Sequence, residues 1–138
     1  MIGNDVIDLA IARKESNWRR PGFLQKLYTP YEQMLISTSP QPELIVWVLW
    51  SMKESVYKIY NRETGIRAFI PHLIECKISA SPAISGIVSV QGKVYYTNTD
   101  ITGDLVHTIA VTKKPHFEAV SEIESHLVAK DPKGLPYF

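Results

Sequence analysis

At Thr64-Gly65 the hydrophobic pattern of this chain switches from helical to alternating spacing, and that switch restricts its fold more than any other feature. Before it, Ile45, Val48, Leu49, Met52, Val56 and Ile59 fall on one arc at about 100° per residue, which predicts a long helix from about Pro42 to Asn61. After it, Leu73 to Ala80, Ile84 to Val90, Lys93 to Thr99 and Leu105 to Thr112 read as strands. They are parted by Ser81-Pro82, Gln91-Gly92 and Thr102-Gly103-Asp104. Gln91-Gly92 between two alternating runs predicts a tight hairpin.

Upstream of the long helix the signals are local. Ile2, Val6, Ile7 and Leu9 form an apolar opening strand interrupted by Asp5 and Asp8, and a short helix follows from Leu9 to Trp18. Pro21-Gly22 breaks that helix, and Phe23 to Tyr28 adds a helical turn or two. Thr29 is the N-cap of the next helix, with Pro30 at its first position and Glu32 three residues after the cap. That helix ends near Ser37, because Ser39-Pro40-Gln41-Pro42 cannot continue it. Phe117 to Val128 reads as a final helix before a loose Asp131-Pro132-Lys133-Gly134 end. A strand and helices followed by an antiparallel meander give an α+β fold. One domain is expected over residues 1–138, with a core over about 1–113 and a C-terminal helix and tail over 114–138.

Composition removes several function classes. A formal net charge of +1 on 138 residues lacks the basic excess of a generic nucleic-acid binder. The single cysteine, Cys76, can form neither an internal disulfide nor a thiol metal pair, so a reducing cytoplasm is the expected compartment. Met1 to Ala10 has no basic cluster and fails as a signal peptide, and Leu44 to Met52 is too short an apolar run to span a bilayer. Neither nucleic acid nor membrane is expected as a partner.

Chemistry concentrates in Trp50-Ser51-Met52-Lys53-Glu54-Ser55-Val56-Tyr57-Lys58. Glu54 and Lys58 stand four residues apart on the side of the helix that the apolar arc does not use, with Trp50 and Tyr57 beside them. Such a pair can be an ordinary exposed helix ion pair, adding about 0.2–0.5 kcal/mol. Two flanking aromatics count against a purely solvated face.

Three ordered pieces complete the pattern: Ile2-Gly3-Asn4-Asp5-Val6-Ile7-Asp8, then Phe23-Leu24-Gln25-Lys26-Leu27-Tyr28-Thr29-Pro30-Tyr31-Glu32, then Lys53-Glu54-Ser55 to Lys58 followed by Thr64-Gly65-Ile66-Arg67. Together they resemble the 4′-phosphopantetheinyl transferase superfamily, in particular its small holo-acyl-carrier-protein synthase branch, which acts in fatty acid biosynthesis. The resemblance covers about the first half of the chain. It implies a Mg2+-dependent transferase that moves the phosphopantetheine arm of coenzyme A to a serine of an acyl or peptidyl carrier protein and releases 3′,5′-ADP. On that resemblance Asp5 and Glu54 are the metal ligands, and Glu54 and Lys58 the catalytic pair. Lys53, Lys58, Thr64 and Gly65 contact CoA, the last two through backbone N–H groups near phosphate. Asp8 matches a position that is often acidic in the family.

Between Arg13 and Lys26 the chain carries Arg13, Lys14, Arg19, Arg20 and Lys26 against Glu15 alone. The family docks an acidic carrier helix with basic residues here, which gives Arg13, Arg19, Arg20 and Lys26 that role. A single copy of each motif matches the homotrimeric branch, whose sites lie between subunits. The pattern departs from the family at Thr97-Asn98-Thr99-Asp100, where relatives have a Ser-x-Ser-His-like element near the CoA nucleotide. That departure leaves a non-catalytic CoA- or carrier-binding module as the alternative. His107, inside a strand, reads as a sheet residue.

Overall fold

The structure is a computed structural model that describes residues 1–79 and 84–113; the expected helix over Phe117 to Val128 lies outside them. Strand β1 (Ile2–Asp8) leads into helix α1 (Leu9–Glu15), followed by α2 (Phe23–Leu27), α3 (Pro30–Thr38) and the long α4 (Pro42–Thr64). A short 3-10 turn (Pro71–Leu73) then precedes β2 (Ile74–Ser79), β3 (Ile84–Val90), β4 (Lys93–Thr102) and β5 (Leu105–Val111). The five strands form one antiparallel sheet in the order β1-β5-β4-β3-β2, so the N-terminal strand joins the meander at its far edge. The fold is α+β, as the change of period at Thr64-Gly65 requires. Among the described residues no helix is long and apolar enough to cross a membrane.

Local rules set the helix boundaries. Asp8 Oδ1 accepts from the backbone N–H groups of Ala10 (2.9 Å) and Ile11 (3.3 Å), capping α1. α3 starts on a full capping box: Thr29 Oγ1 accepts from Glu32 N–H, and Glu32 Oε1 accepts from Thr29 N–H. α4 runs past the expected Asn61 to Thr64 and stops where Gly65, at φ +73°, takes the left-handed conformation and donates to Asn61 O (2.8 Å).

α4 contacts every strand of the sheet and also packs against α3. Of its expected apolar arc, Val48, Leu49, Met52, Val56 and Ile59 are buried and Ile45 is half-buried. Val46, Trp47, Ser51, Lys53, Ser55 and Tyr60 are buried as well. The buried arc is wider than the apolar one because the sheet covers one flank of α4 while α2, α3 and the 3-10 turn cover another.

β1 approaches α4 more closely than any side chain permits. A Cβ at Gly3 would collide with the carbonyl oxygen of Ser55, so only glycine lets the strand lie against the helix backbone there. Arg62 Nη1 donates to Ile2 O (3.0 Å) and Lys58 Nζ to Asn4 O (2.6 Å), tying the strand along the helix. Side chains alternate along β1, so Asp5 faces the same way as Gly3, toward α4.

Candidate active site

The close approach at Gly3 brings Asp5 to the helix face that carries Ser51, Glu54 and Lys58. Lys58 Nζ lies 3.6 Å from Asp5 Oδ1. Burial raises the pKa of Asp5 against the opposing pull of Lys58 and of the nearby Ser51 hydroxyl. Burial also raises the pKa of Glu54, and the Asp5 charge adds to that rise while Lys58 opposes it. The structure therefore brings together Asp5, Glu54 and Lys58 as one electrostatic unit with two carboxylates and one ammonium.

That unit fits a hard divalent cation. Asp5 Oδ2 and Ser51 Oγ are both buried and neither meets hydrogen-bond geometry with a described residue, although the Ser51 hydroxyl lies close enough to pull on the Asp5 carboxyl. A buried carboxylate oxygen without a donor, beside a second carboxylate whose proton affinity it raises, is the donor set that Mg2+ takes, with one or two protein carboxylates and the remaining positions left to phosphate and water. No group of three or more His, Cys, Asp or Glu side chains suited to a metal occurs among the described residues, so the fit rests on the pair.

Lys53 is placed otherwise than expected. Its ammonium is fully buried, 2.6 Å from Glu32 Oε1, and donates to the carbonyls of Pro71 (2.7 Å), Ile74 (2.7 Å) and Leu27 (3.2 Å). Every donor of the ammonium is committed inside the protein, so Lys53 does not reach a CoA phosphate. Glu32 Oε2 accepts the N–H of Cys76 (2.7 Å), completing a buried knot among α3, α4, the 3-10 turn and β2. The expectation of free N–H groups at Thr64-Gly65 is corrected too. Gly65 N–H serves the helix C-cap, Ile66 N–H donates to Thr64 Oγ1 (3.1 Å), and Thr64 Oγ1 donates to Tyr60 O (2.7 Å). Asp8 is taken by its cap.

The aromatics beside Glu54 hold the segment after α4. Phe69 packs on Trp50 and Tyr57, with ring centroids 5.4 and 4.8 Å away, and Tyr57 Oη donates to Arg67 O. The basic residues lie elsewhere. Arg13 pairs with Glu43 (2.6 Å) and approaches Asp104 (3.8 Å); Arg19 stacks on Trp18 (4.2 Å) and Arg20 on Phe23 (5.4 Å), and Lys26 is exposed on α2. On β4, Thr97 and Thr99 face inward and are buried, with Thr99 Oγ1 2.9 Å from Thr108 Oγ1. His107 is buried in β5, opposite Asp100 of β4, and its pKa is lowered by burial and partly restored by that carboxylate. A groove of about 470 Å³ over β2, β3 and β4 is lined by residues such as Lys77, Ser85 and Asn98 and includes none of Asp5, Glu54 or Lys58. Asp5 and Glu54 are both half-buried, away from that groove.

Ser51, the close approach at Gly3 and the Glu32–Lys53 knot were not expected from sequence. Ser51 and Ser55, small residues one turn apart beside an early glycine, are the signal for the close helix–strand contact.

No curated protein sequence matches the chain. Solved structures share the fold. Holo-[acyl-carrier-protein] synthase from Neisseria meningitidis superposes with a TM-score of 0.64 at 20% identity, over 82% of this chain and 97% of that one. The Helicobacter pylori synthase, solved in complex with coenzyme A, gives 0.61 at 17% identity, over 82% and 100% of the two chains. A profile of the 4′-phosphopantetheinyl transferase superfamily matches residues 1–110, from β1 into β5 and across Asp5, Glu54 and Lys58. The chain is a member of the 4′-phosphopantetheinyl transferase superfamily.

Proposed function

We propose that this protein transfers the 4′-phosphopantetheine arm of coenzyme A to a serine hydroxyl of an apo acyl or peptidyl carrier protein, in a Mg2+-dependent reaction that releases 3′,5′-ADP. The observation that carries this reading is the convergence of Asp5, Glu54 and Lys58 from β1 and α4, with Asp5 Oδ2 buried and unpartnered among the described residues. CoA bound to a synthase of the same fold supports the donor.

Asp5 and Glu54 are the residues to hold Mg2+. Bound there, the ion would neutralise pyrophosphate charge that otherwise repels the incoming hydroxyl. The serine oxygen forms a bond to the phosphorus next to the pantetheine arm as the bridging P–O bond breaks toward 3′,5′-ADP. Lys58 Nζ neutralises charge that develops on that leaving group. Glu54, one turn from Lys58 on the same face of α4, is the acceptor for the serine proton.

Arg19, Arg20 and Lys26, with Arg13 sharing its charge with Glu43, form the surface that steers an acidic carrier. The site is completed by a neighbouring subunit of a homotrimer, as in the small branch that the chain resembles, and the cytoplasm is the compartment of the reaction. The test is incubation with CoA, Mg2+ and a panel of apo carrier proteins, read by mass spectrometry. Gain of one phosphopantetheine on a carrier supports the reading, and no gain across a panel from the native organism contradicts it.

One observation favours a second reading, a non-catalytic binding module. The hydroxyls of Thr97 and Thr99, in place of a Ser-x-Ser-His-like element, are buried against the helix side of the sheet. CoA binding by calorimetry without any 3′,5′-ADP release would select this reading.

A further inference from the structure

Trp50, Glu54, Tyr57 and Asn61 fall within an arc of about 60° along α4. Three of these four side chains grip the segment that follows the helix. Asn61 Nδ2 donates to Ile66 O (2.8 Å), Tyr57 Oη donates to Arg67 O, and the Phe69 ring lies against both Trp50 (5.4 Å) and Tyr57 (4.8 Å). Glu54 is the fourth, one turn beyond Trp50 and one before Tyr57, so the turn of α4 that Phe69 spans is the one that carries Glu54. Asp5 and Lys58 stand on the other flank of Glu54, beside Ser51.

The segment has little else to order it. Residues 65–70 have no regular secondary structure, and Gly65, Ile66, Arg67 and Ala68 are exposed. Leu73 N–H to Ile70 O (3.0 Å) holds its far end, at the 3-10 turn. Between that turn and the helix cap, the grip of Asn61, Tyr57 and Phe69 fixes the path of the backbone and hence the place of the exposed Arg67 cation. Phe69 is half-buried, so its ring contributes to this grip at the margin of the core.

Resting on the transferase reading above, we propose that Phe69, clamped by Trp50 and Tyr57, is a positioning residue that holds residues 65–70 as the wall of the CoA cleft on the side of Glu54 opposite Asp5. Its effect is on ground-state binding of CoA, because the segment presents a fixed surface and an exposed cation to an anionic ligand and no group to the reacting atoms.

The test is steady-state transfer by the full chain and its Phe69→Ala, Phe69→Tyr and Tyr57→Phe variants. Phe69→Ala is expected to raise KM for CoA about five- to tenfold, the weight of a lost aromatic pair, with kcat and the KM for carrier little changed. Phe69→Tyr keeps the ring and restores the wild-type KM, and Tyr57→Phe, which deletes one hydroxyl, gives a smaller rise. An unchanged KM for CoA in Phe69→Ala overturns the proposal, as does an equal loss for both substrates. Should Phe69→Ala fail to fold, an unchanged KM in Tyr57→Phe overturns it instead. If the wild type transfers to no carrier, the reading of function fails while calorimetric Kd for CoA still decides the clamp: a weaker Kd in the variant supports it, and an equal Kd or no CoA binding by the wild type overturns it.

Discussion

Lys58 Nζ stands 3.6 Å from Asp5 Oδ1 while donating to Asn4 O at 2.6 Å, so one ammonium both ties β1 to α4 and faces the carboxylate proposed to hold the metal. Lys58→Ala is expected to lower kcat for transfer by about 10²–10³-fold, the scale for losing one charge stabiliser of a transition state. Lys58→Arg keeps the charge but not the compact ammonium, and recovers part of that loss. Single-turnover rates with saturating CoA measure both.

Asp5 and Glu54 hold their protons more tightly than their ordinary values of 3.8 and 4.5, chiefly through burial. Groups with raised carboxyl pKa values favour the folded state in acid, and that contribution is lost as pH rises from the ordinary values through the raised ones. The metal-free protein is therefore expected to lose stability across that window, more than Asp5→Asn does. At neutral pH Mg2+ should restore it, by about 2.7 kcal/mol at a hundred times its Kd, and should leave Asp5→Asn unmoved. Thermal melts with and without Mg2+ at several pH values read this directly, and equal Mg2+ shifts in both proteins would remove Asp5 from the metal site.

The buried Glu32–Lys53 pair makes a prediction about stability with no direct role in chemistry. Lys53→Met leaves the Glu32 carboxylate in the core without its cation and is expected to cost about 3–5 kcal/mol. Adding Glu32→Gln removes the stranded charge and recovers a large part of that loss. Urea unfolding of the single and double variants separates the two, and a double variant no more stable than the single one would contradict the knot as described.

Gly3→Ala tests the approach of β1 to the helix. The added methyl meets Ser55 O, a backbone atom that cannot swing away, so the strand must shift at a cost of about 1–3 kcal/mol. Because Asp5 rides on that strand, transfer should fall further than stability does. Activity measured well below the variant's own Tm distinguishes displacement of Asp5 from loss of folded protein.

Features governed by a few adjacent residues were legible in the sequence. The capping box of α3 needs only Thr29, Pro30 and Glu32, and the hairpin at Gln91-Gly92 joins β3 to β4 where it was expected. Helical spacing puts Glu54 and Lys58 on one face, but the juxtaposition of Asp5 with them was legible only through resemblance, because no spacing rule links β1 to a helix so far along the chain. Lys53 was misread for a physical reason. Periodicity assigns a lysine to solvent, whereas here Leu27, Pro71, Ile74 and Glu32 converge on its ammonium from separate segments. Thr64-Gly65 shows a similar limit, since the glycine that resembles a phosphate loop is consumed as a helix cap. Trp50 and Tyr57 stood out on an otherwise polar face, but their partner Phe69 lies in a segment without periodicity and was not legible.

The most direct measurement is the rate of phosphopantetheine transfer to an apo carrier protein, followed by carrier mass and 3′,5′-ADP release, for wild type and Glu54→Gln with and without Mg2+. Transfer by the wild type in Mg2+ alone, with Glu54→Gln folded but inactive, is the expected result. Transfer retained by Glu54→Gln, or unaffected by removal of Mg2+, would contradict the assignment of Asp5 and Glu54 as the metal-binding pair at the centre of this site.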